Sequence, residues 1–229
     1  MRKGIFIETE NVNRFRTVMR QALDTERGRP GMVCVYSPAG LGKSLAAEQH
    51  YAQHGGAYVR VWEDWTQQAF LQAICFELTG TRPHGADRCK WAICEALADN
   101  RRVIYVDEAD RLSIKRIEDL RDIYVYTGVP IVLIGEPGLP TMLSARARVD
   151  DRIPAEYRVE FTGISPTDVM LYAQDAAGLT LSPEACAQVA KATKGNFRRV
   201  HNMMLSLEQA ALAAETVEID ADMVRRLRA

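Results

Sequence analysis

The sequence predicts an α/β fold: a parallel sheet with helices on both faces, followed by a small all-α lid. Short apolar runs at 32–36, 57–62, 101–107 and 130–135 alternate with helical segments, as in a parallel sheet built from crossover units. The first run enters a helix through the glycine-rich stretch Ser37-Pro38-Ala39-Gly40-Leu41-Gly42-Lys43-Ser44. After about Gly163 the pattern changes to helices only. A core of residues 1–163 and a lid of 164–229 follow from that change.

A first helix is expected over 11–25, with Val12, Phe15, Val18, Met19 and Leu23 on one apolar stripe. Arg27-Gly28-Arg29-Pro30-Gly31 ends it. The helix after the glycine-rich stretch runs to about His54, where Gly55-Gly56 breaks it before the second strand. Thr66 caps a helix carrying Phe70, Leu71, Ile74 and Leu78, and another covers about 86–99. Within the run 101–107, residues 103–106 after two arginines are continuously apolar before the acids, which fits a strand buried on both faces. A helix over about 113–127 and the strand 130–135 complete the core. In the lid, Ser165-Pro166-Thr167-Asp168 is a capping box with proline in the first turn, and Ser182-Pro183-Glu184-Ala185 repeats the signal. Gly195 stops that helix, a long one follows over 197–214, and Asp220 starts a short last helix with Arg225, Arg226 and Arg228.

Bulk composition sets the class. The chain has 229 residues, 47% of them hydrophobic and 26% charged, as expected of a globular protein. No apolar run approaches the roughly 20 residues that span a bilayer, and the apolar part of the first residues is too short for a secretory signal. Five cysteines without a C-x-x-C pair argue against a disulfide framework or a cysteine metal site. A cytoplasmic location is the expectation. With a net charge of −1, any nucleic-acid contact must come from a local patch.

The glycine-rich stretch carries the chemistry. Between a strand and a helix, such a loop aims successive backbone N–H groups at one point beside the positive helix end, a cradle for phosphate. Leu45 opens the helix; Lys43 offers a charge to the β- and γ-phosphates of a nucleotide, and the Ser44 hydroxyl suits Mg²⁺. Ser37 stands where the usual pattern has glycine. The strand ending Tyr105-Val106-Asp107-Glu108-Ala109-Asp110 supplies carboxylates. Asp107 is placed to order a Mg²⁺ shell and Glu108 to act as general base on water.

A phosphate loop, an Asp-Glu strand end and a lid with Gly195-Asn196-Phe197-Arg198 together resemble the AAA+ ATPases. More narrowly, they resemble the phage Mu B-type DNA transposition proteins and related transposon target selectors. The resemblance implies ATP and Mg²⁺ as cofactors, and ATP-dependent helical filaments or rings around double-stranded DNA. It also implies delivery of that DNA to a transposase. By position in the family, Arg198 is the lid arginine that touches nucleotide phosphates, and Asn11 and Val12 line the adenine pocket. Glu136 sits where the family has a small polar γ-phosphate sensor, and an acid there departs from the pattern. Among Arg146, Arg148 and Arg152, the resemblance implies one finger reaching a neighbouring subunit's ATP, Arg152 first and Arg148 next. A solvated charge run paired with Asp150 and Asp151 is the competing reading. The chain opens close to the ATPase fold, so the N-terminal DNA-binding domain of many Mu B-type proteins is not expected.

The resemblance implies DNA contacts from loops and helix ends, and the matching place is the turn and helix start carrying Arg82, His84, Arg88 and Lys90, with Lys115 and Arg116 as a second group. A repeated protomer needs few phosphate contacts, because assembly multiplies them. An ordinary solvated helix face explains the same residues. Trp62 and Trp65 are read as core or rim packing, and His50 and His54 as surface or packing residues. The alternative function is an AAA+ motor of a secretion, export or replication-loading system. A nucleotide-dependent scaffold without catalysis is disfavoured by Lys43, Asp107 and Glu108 together.

Overall fold

The computed structural model describes residues 1–2, 4–24 and 31–227. The expected residues Thr25, Arg27, Gly28, Arg29, Pro30 and Arg228 lie outside them. Contacts divide the chain into a sheet unit, Arg14–Pro38 with Lys43–Glu160, and a helical unit, Met1–Asn13, Ala39–Gly42 and Phe161–Ala229.

The chain opens with α1 (Glu10–Leu23) and β1 (Met32–Tyr36), followed by α2 (Lys43–His54) and β2 (Ala57–Arg60). Next come α3 (Gln67–Thr79), α4 (Ala86–Asp99), β3 (Ile104–Asp107), α5 (Ile114–Thr127) and β4 (Ile131–Gly135). Two short helices, α6 (Leu139–Ser144) and α7 (Ala147–Asp150), lead to β5 (Arg158–Glu160). The sheet has five strands in the order β2-β3-β4-β1-β5, and every pair is parallel. Alternation along the strands sorts side chains to two faces. Met32, Cys34, Ile104, Val106, Ile131 and Leu133 join the core built with α3, α4, α5, α6 and α7. Tyr105 and Tyr58 face the other way, where the rings of His50 and Tyr51 from α2 meet them, and His50 packs in turn on Phe15 of α1. Both faces are covered, as expected for a parallel sheet.

Local chemistry explains the boundaries. The Thr66 hydroxyl accepts the N–H of Ala69, and Gly80 closes α3 in the left-handed conformation. Gly128 closes α5 in the same way. The second strand ends at Arg60, earlier than the apolar run, and Trp62 beyond it is 67% exposed while Trp65 packs on the core. Trp62 is therefore surface, stacked on Trp65 at 6.2 Å between ring centroids. The strand β5 was not expected: three residues are too few to show a period.

In the helical unit, α8 (Pro166–Tyr172) runs into a single π-turn (Ala173–Ala177), followed by β6 (Thr180–Leu181) and α9 (Pro183–Thr193). The elements α10 (Phe197–Ala213), β7 (Glu218–Ile219) and α11 (Ala221–Arg226) finish it. The capping box at Ser165 and Asp168 forms with both reciprocal bonds. Ser182, Asn196 and Asp220 cap α9, α10 and α11 through their side chains. The expectation of helices only is corrected here, because β6 and β7 pair in parallel, Thr180 with Glu218 and Leu181 with Ile219. Val169, Tyr172, Val189, Val200, Met204 and Leu207 form this unit's own core, joined by Ile7. Among the described residues no helix is long and apolar enough to cross a membrane. All five cysteines are free and buried; burial pushes the Cys34 thiol up to about 12, against a smaller opposing effect of Arg158, so it stays an unreactive thiol.

Candidate functional site

In the sheet unit, β1 delivers the chain to Ser37, a buried residue. Its N–H donates to the Gly135 carbonyl at 3.3 Å, and its hydroxyl to the Pro38 carbonyl at 2.9 Å. Its φ is not among the positive ones, so glycine is not needed at this first loop position. Gly40 and Gly42 do take positive φ, 84° and 92°. Lys43 starts α2, and the next residue reaches the acidic strand end: Ser44 Oγ donates to Asp107 Oδ1 at 3.1 Å.

Asp107 ends β3 with 1% exposure. The Glu108 N–H also donates to its Oδ1, at 3.0 Å. On the other oxygen, the Tyr58 hydroxyl donates at 3.0 Å and Arg60 Nε at 2.9 Å. Arg60 Nη2 also lies 2.9 Å from Glu48 Oε1. Burial, and then the Asp107 charge, raise the Tyr58 pKa and keep it a donor. For Arg60, burial alone lowers the pKa, but the hydrogen bond and charge of Asp107 outweigh it and the pKa rises. A carboxylate this deep needs such partners, since unpaired it costs several kcal/mol. A hydroxyl and a carboxylate 3.1 Å apart are hard oxygen donors, and the pair fits the shell of a Mg²⁺ ion.

Glu108 is held at φ 58°, ψ 38°, left-handed without being glycine, a strained state of the kind found at functional positions. Its carboxylate is 3.5 Å from Arg111 Nη2. Asp110, quoted in the motif without a role, has one: its Oδ1 accepts the Glu136 N–H at 2.9 Å. A Cβ at Gly135 would lie 2.3 Å from that oxygen, so Gly135 makes the approach possible. Glu136 itself is exposed.

Pro38 is exposed on the sheet-unit side of the loop, and Leu45 is exposed on the first turn of α2. Ala39, Gly40, Leu41 and Gly42 group with the helical unit. There Asn196 Nδ2 donates to the Ala39 carbonyl at 2.7 Å, and the Arg198 N–H to the Gly40 carbonyl at 3.2 Å. The Arg198 side chain is exposed. Asn196 was named only as part of a motif; its contact joins residues far apart in the chain, which spacing does not reveal. Asn11, also in this unit, spends its amide on a backbone clamp: Nδ2 donates to the Thr162 carbonyl at 2.8 Å and Oδ1 accepts the Thr162 N–H at 3.0 Å. Val12 is buried beside it in sequence.

Of the finger candidates, Arg146 and Arg148 are exposed and Arg152 is half-buried. Asp150 pairs with Arg158 and accepts from Ser144; hydrogen bonds from Arg158 and then Ser144 lower its pKa. Among the basic candidates, Arg88 and Lys115 are exposed, as is His84. Arg82 lies over the Phe76 ring at 4.6 Å, Lys90 pairs with the buried Asp119, and Arg116 Nη1 donates to Ser113 Oγ at 2.8 Å.

A family profile for the AAA domain matches residues 26–143. A Staphylococcus aureus protein described as a potential ATP-binding protein is 31% identical over 116 residues, 47% of this chain and 42% of that protein. The chain thus spans less than half of that relative's length. Among solved structures, the Aeropyrum pernix ORC1 protein in complex with DNA aligns at TM-score 0.63 and 16% identity, over 97% of this chain and 65% of that one. The Thermotoga maritima RuvB Holliday junction branch migration motor aligns at TM-score 0.60 and 19% identity, over 96% of this chain and 68% of that one. These two likenesses show the fold, a parallel-sheet α/β fold of the P-loop NTPase kind.

Proposed function

The chain belongs to the AAA domain family, and on that footing we propose that it binds and hydrolyses ATP while assembled on double-stranded DNA. The observation that carries the reading is the meeting of Ser44 with Asp107 at 3.1 Å, at the carboxyl end of β3 and beside Lys43. Open parallel sheets place ligands at the carboxyl ends of their strands. In this reading the loop N–H groups and Lys43 hold the β- and γ-phosphates. Ser44 and Asp107 would hold Mg²⁺, which would neutralise phosphate charge. Glu108 takes the proton of the attacking water, a role worth about 10²–10⁴ in rate. Arg152, or Arg148, reaches the ATP of a neighbouring copy, and Arg198 contacts the phosphates from the lid.

The finer reading is a transposition regulator that coats target DNA without strong sequence preference and presents it to a transposase. The motif resemblance supports it, and the exposed Arg88 and Lys115 supply cations for the DNA backbone. The alternative reading is an AAA+ motor of a replication-loading system; a chain of the same fold is an ORC1 protein in complex with DNA. A secretion or export motor is a third outcome of the same test. Calorimetry with magnesium-ATP tests the pocket: well-folded protein that takes up none ends the whole reading. Turnover and electron microscopy, with and without duplex DNA, separate the functions. DNA-dependent filaments support the transposition reading, closed rings that load a second protein support the replication one, and turnover indifferent to DNA supports an export motor.

A further inference from the structure

Asn196 uses both ends of its side-chain amide. Oδ1 accepts the Arg199 N–H at 3.2 Å and caps α10. Nδ2 donates to the Ala39 carbonyl at 2.7 Å. Two residues further on, the Arg198 N–H donates to the next carbonyl of the loop, that of Gly40, at 3.2 Å. The Asn196 side chain also packs on Gly40, where a Cβ would lie 2.6 Å from Oδ1. All of these groups belong to the helical unit.

A trans peptide is planar, so its C=O and N–H point in opposite directions. Holding the Ala39 carbonyl against Asn196 turns the Gly40 N–H away from the start of α10. Holding the Gly40 carbonyl against the Arg198 N–H turns the Leu41 N–H to the same side. Gly40 has a φ of 84°, left-handed backbone of the kind that builds such turns, and two successive N–H groups facing away from the start of α10 form an anion-binding nest.

We propose that Asn196 is a positioning residue for the nucleotide: with the Arg198 backbone it presets the Gly40 and Leu41 N–H groups for a phosphate and joins the loop to the start of α10. The proposal rests on the ATP-binding reading above and assigns a residue that reading does not use. The cap alone does not explain an amide at this position, because serine caps a helix about as well. What asparagine adds is a separate donor atom with enough reach for the loop. Occupancy of the nest is thereby felt at the first turn of α10, so the lid senses the phosphate through its backbone as well as through an arginine side chain.

Asn196→Ser keeps the cap, stays uncharged and loses the reach to Ala39. The test is calorimetric titration of the full chain with magnesium-ADP, with thermal melting and hydrogen exchange of residues 38–45 in the absence of nucleotide. The serine variant is expected to melt within about 2 °C of the parent, to bind ADP about tenfold more weakly, and to exchange its loop amides faster. Asn196→Ala, which loses the cap as well, should melt lower yet bind ADP no more weakly than the serine variant. A parent that binds no ADP removes the ATPase reading itself. A parent that binds ADP, with a serine variant that binds equally and exchanges its loop equally, overturns the positioning role alone. Should the serine variant melt low, loop exchange relative to the rest of α10, measured well below both transitions, decides the matter.

Discussion

The Tyr105 hydroxyl lies 2.6 Å from Nδ1 of His50, a hydrogen bond closed inside the sheet face that α1 and α2 cover. His50 is 4% exposed and also stacks on His54, with ring centroids 4.1 Å apart. Burial, then the charges of His54 and Arg16, lower its pKa from 6.5 to about 4.

That depression gives stability a pH dependence of known sign. Between pH 6.5 and about 4 the unfolded chain binds a proton at this residue and the folded chain does not. The contribution of neutral His50 is complete above pH 6.5 and fades as pH falls through that window, by roughly 3 kcal/mol in all. Urea unfolding at a series of pH values should show a flatter acid limb for His50→Gln than for the parent. Parallel limbs would mean that His50 titrates normally in the folded chain.

Lys43→Ala and Glu108→Gln should fail differently. The lysine variant loses magnesium-ATP binding in calorimetry. The glutamine variant binds ATP and turns it over at least about a hundredfold more slowly. Equal loss of binding in both would contradict the separate roles.

The partners of Asp107 hold the fold as well as the site. Tyr58→Phe removes one donor to a buried carboxylate and should cost about 1 kcal/mol in urea unfolding. Arg60→Ala should cost about 1–2 kcal/mol, less than a fully buried ion pair because the Arg60 side chain is 52% exposed. Unchanged midpoints in both variants would show that the Asp107 charge is compensated elsewhere.

Gly195 and Gly178 share a φ of 66°, yet their substitutions should differ. A Cβ at Gly195 would lie 2.6 Å from the Gly163 Cα, whereas one at Gly178 meets nothing within 4 Å. Gly178→Ala should cost about 1 kcal/mol, the left-handed penalty for a side chain. Gly195→Ala should add about 1–3 kcal/mol for forcing two backbone segments apart. Equal losses in thermal melts would remove the close contact as a cause.

Much of this protein is written in local chemistry. The strand before the loop, the acidic strand end, the Thr66 cap and the Ser165 capping box occur where a few adjacent residues call for them. Such features depend on side chains within one turn or one strand, so the chain announces them in order, and the glycine-rich stretch announces the phosphate chemistry with them. Other features depend on which distant segments meet, and spacing carries no record of that. The strands β5, β6 and β7, of two or three residues each, exist because a partner edge was free to pair with them. Arg60 matters because parallel register sets it opposite Asp107; Asp110 matters because Gly135 leaves room beside it. Asn196 matters because its amide meets a carbonyl 157 residues away in the chain. A hydrogen bond between remote residues is fixed by packing, which brings its donor and acceptor into range only once the core around them has closed.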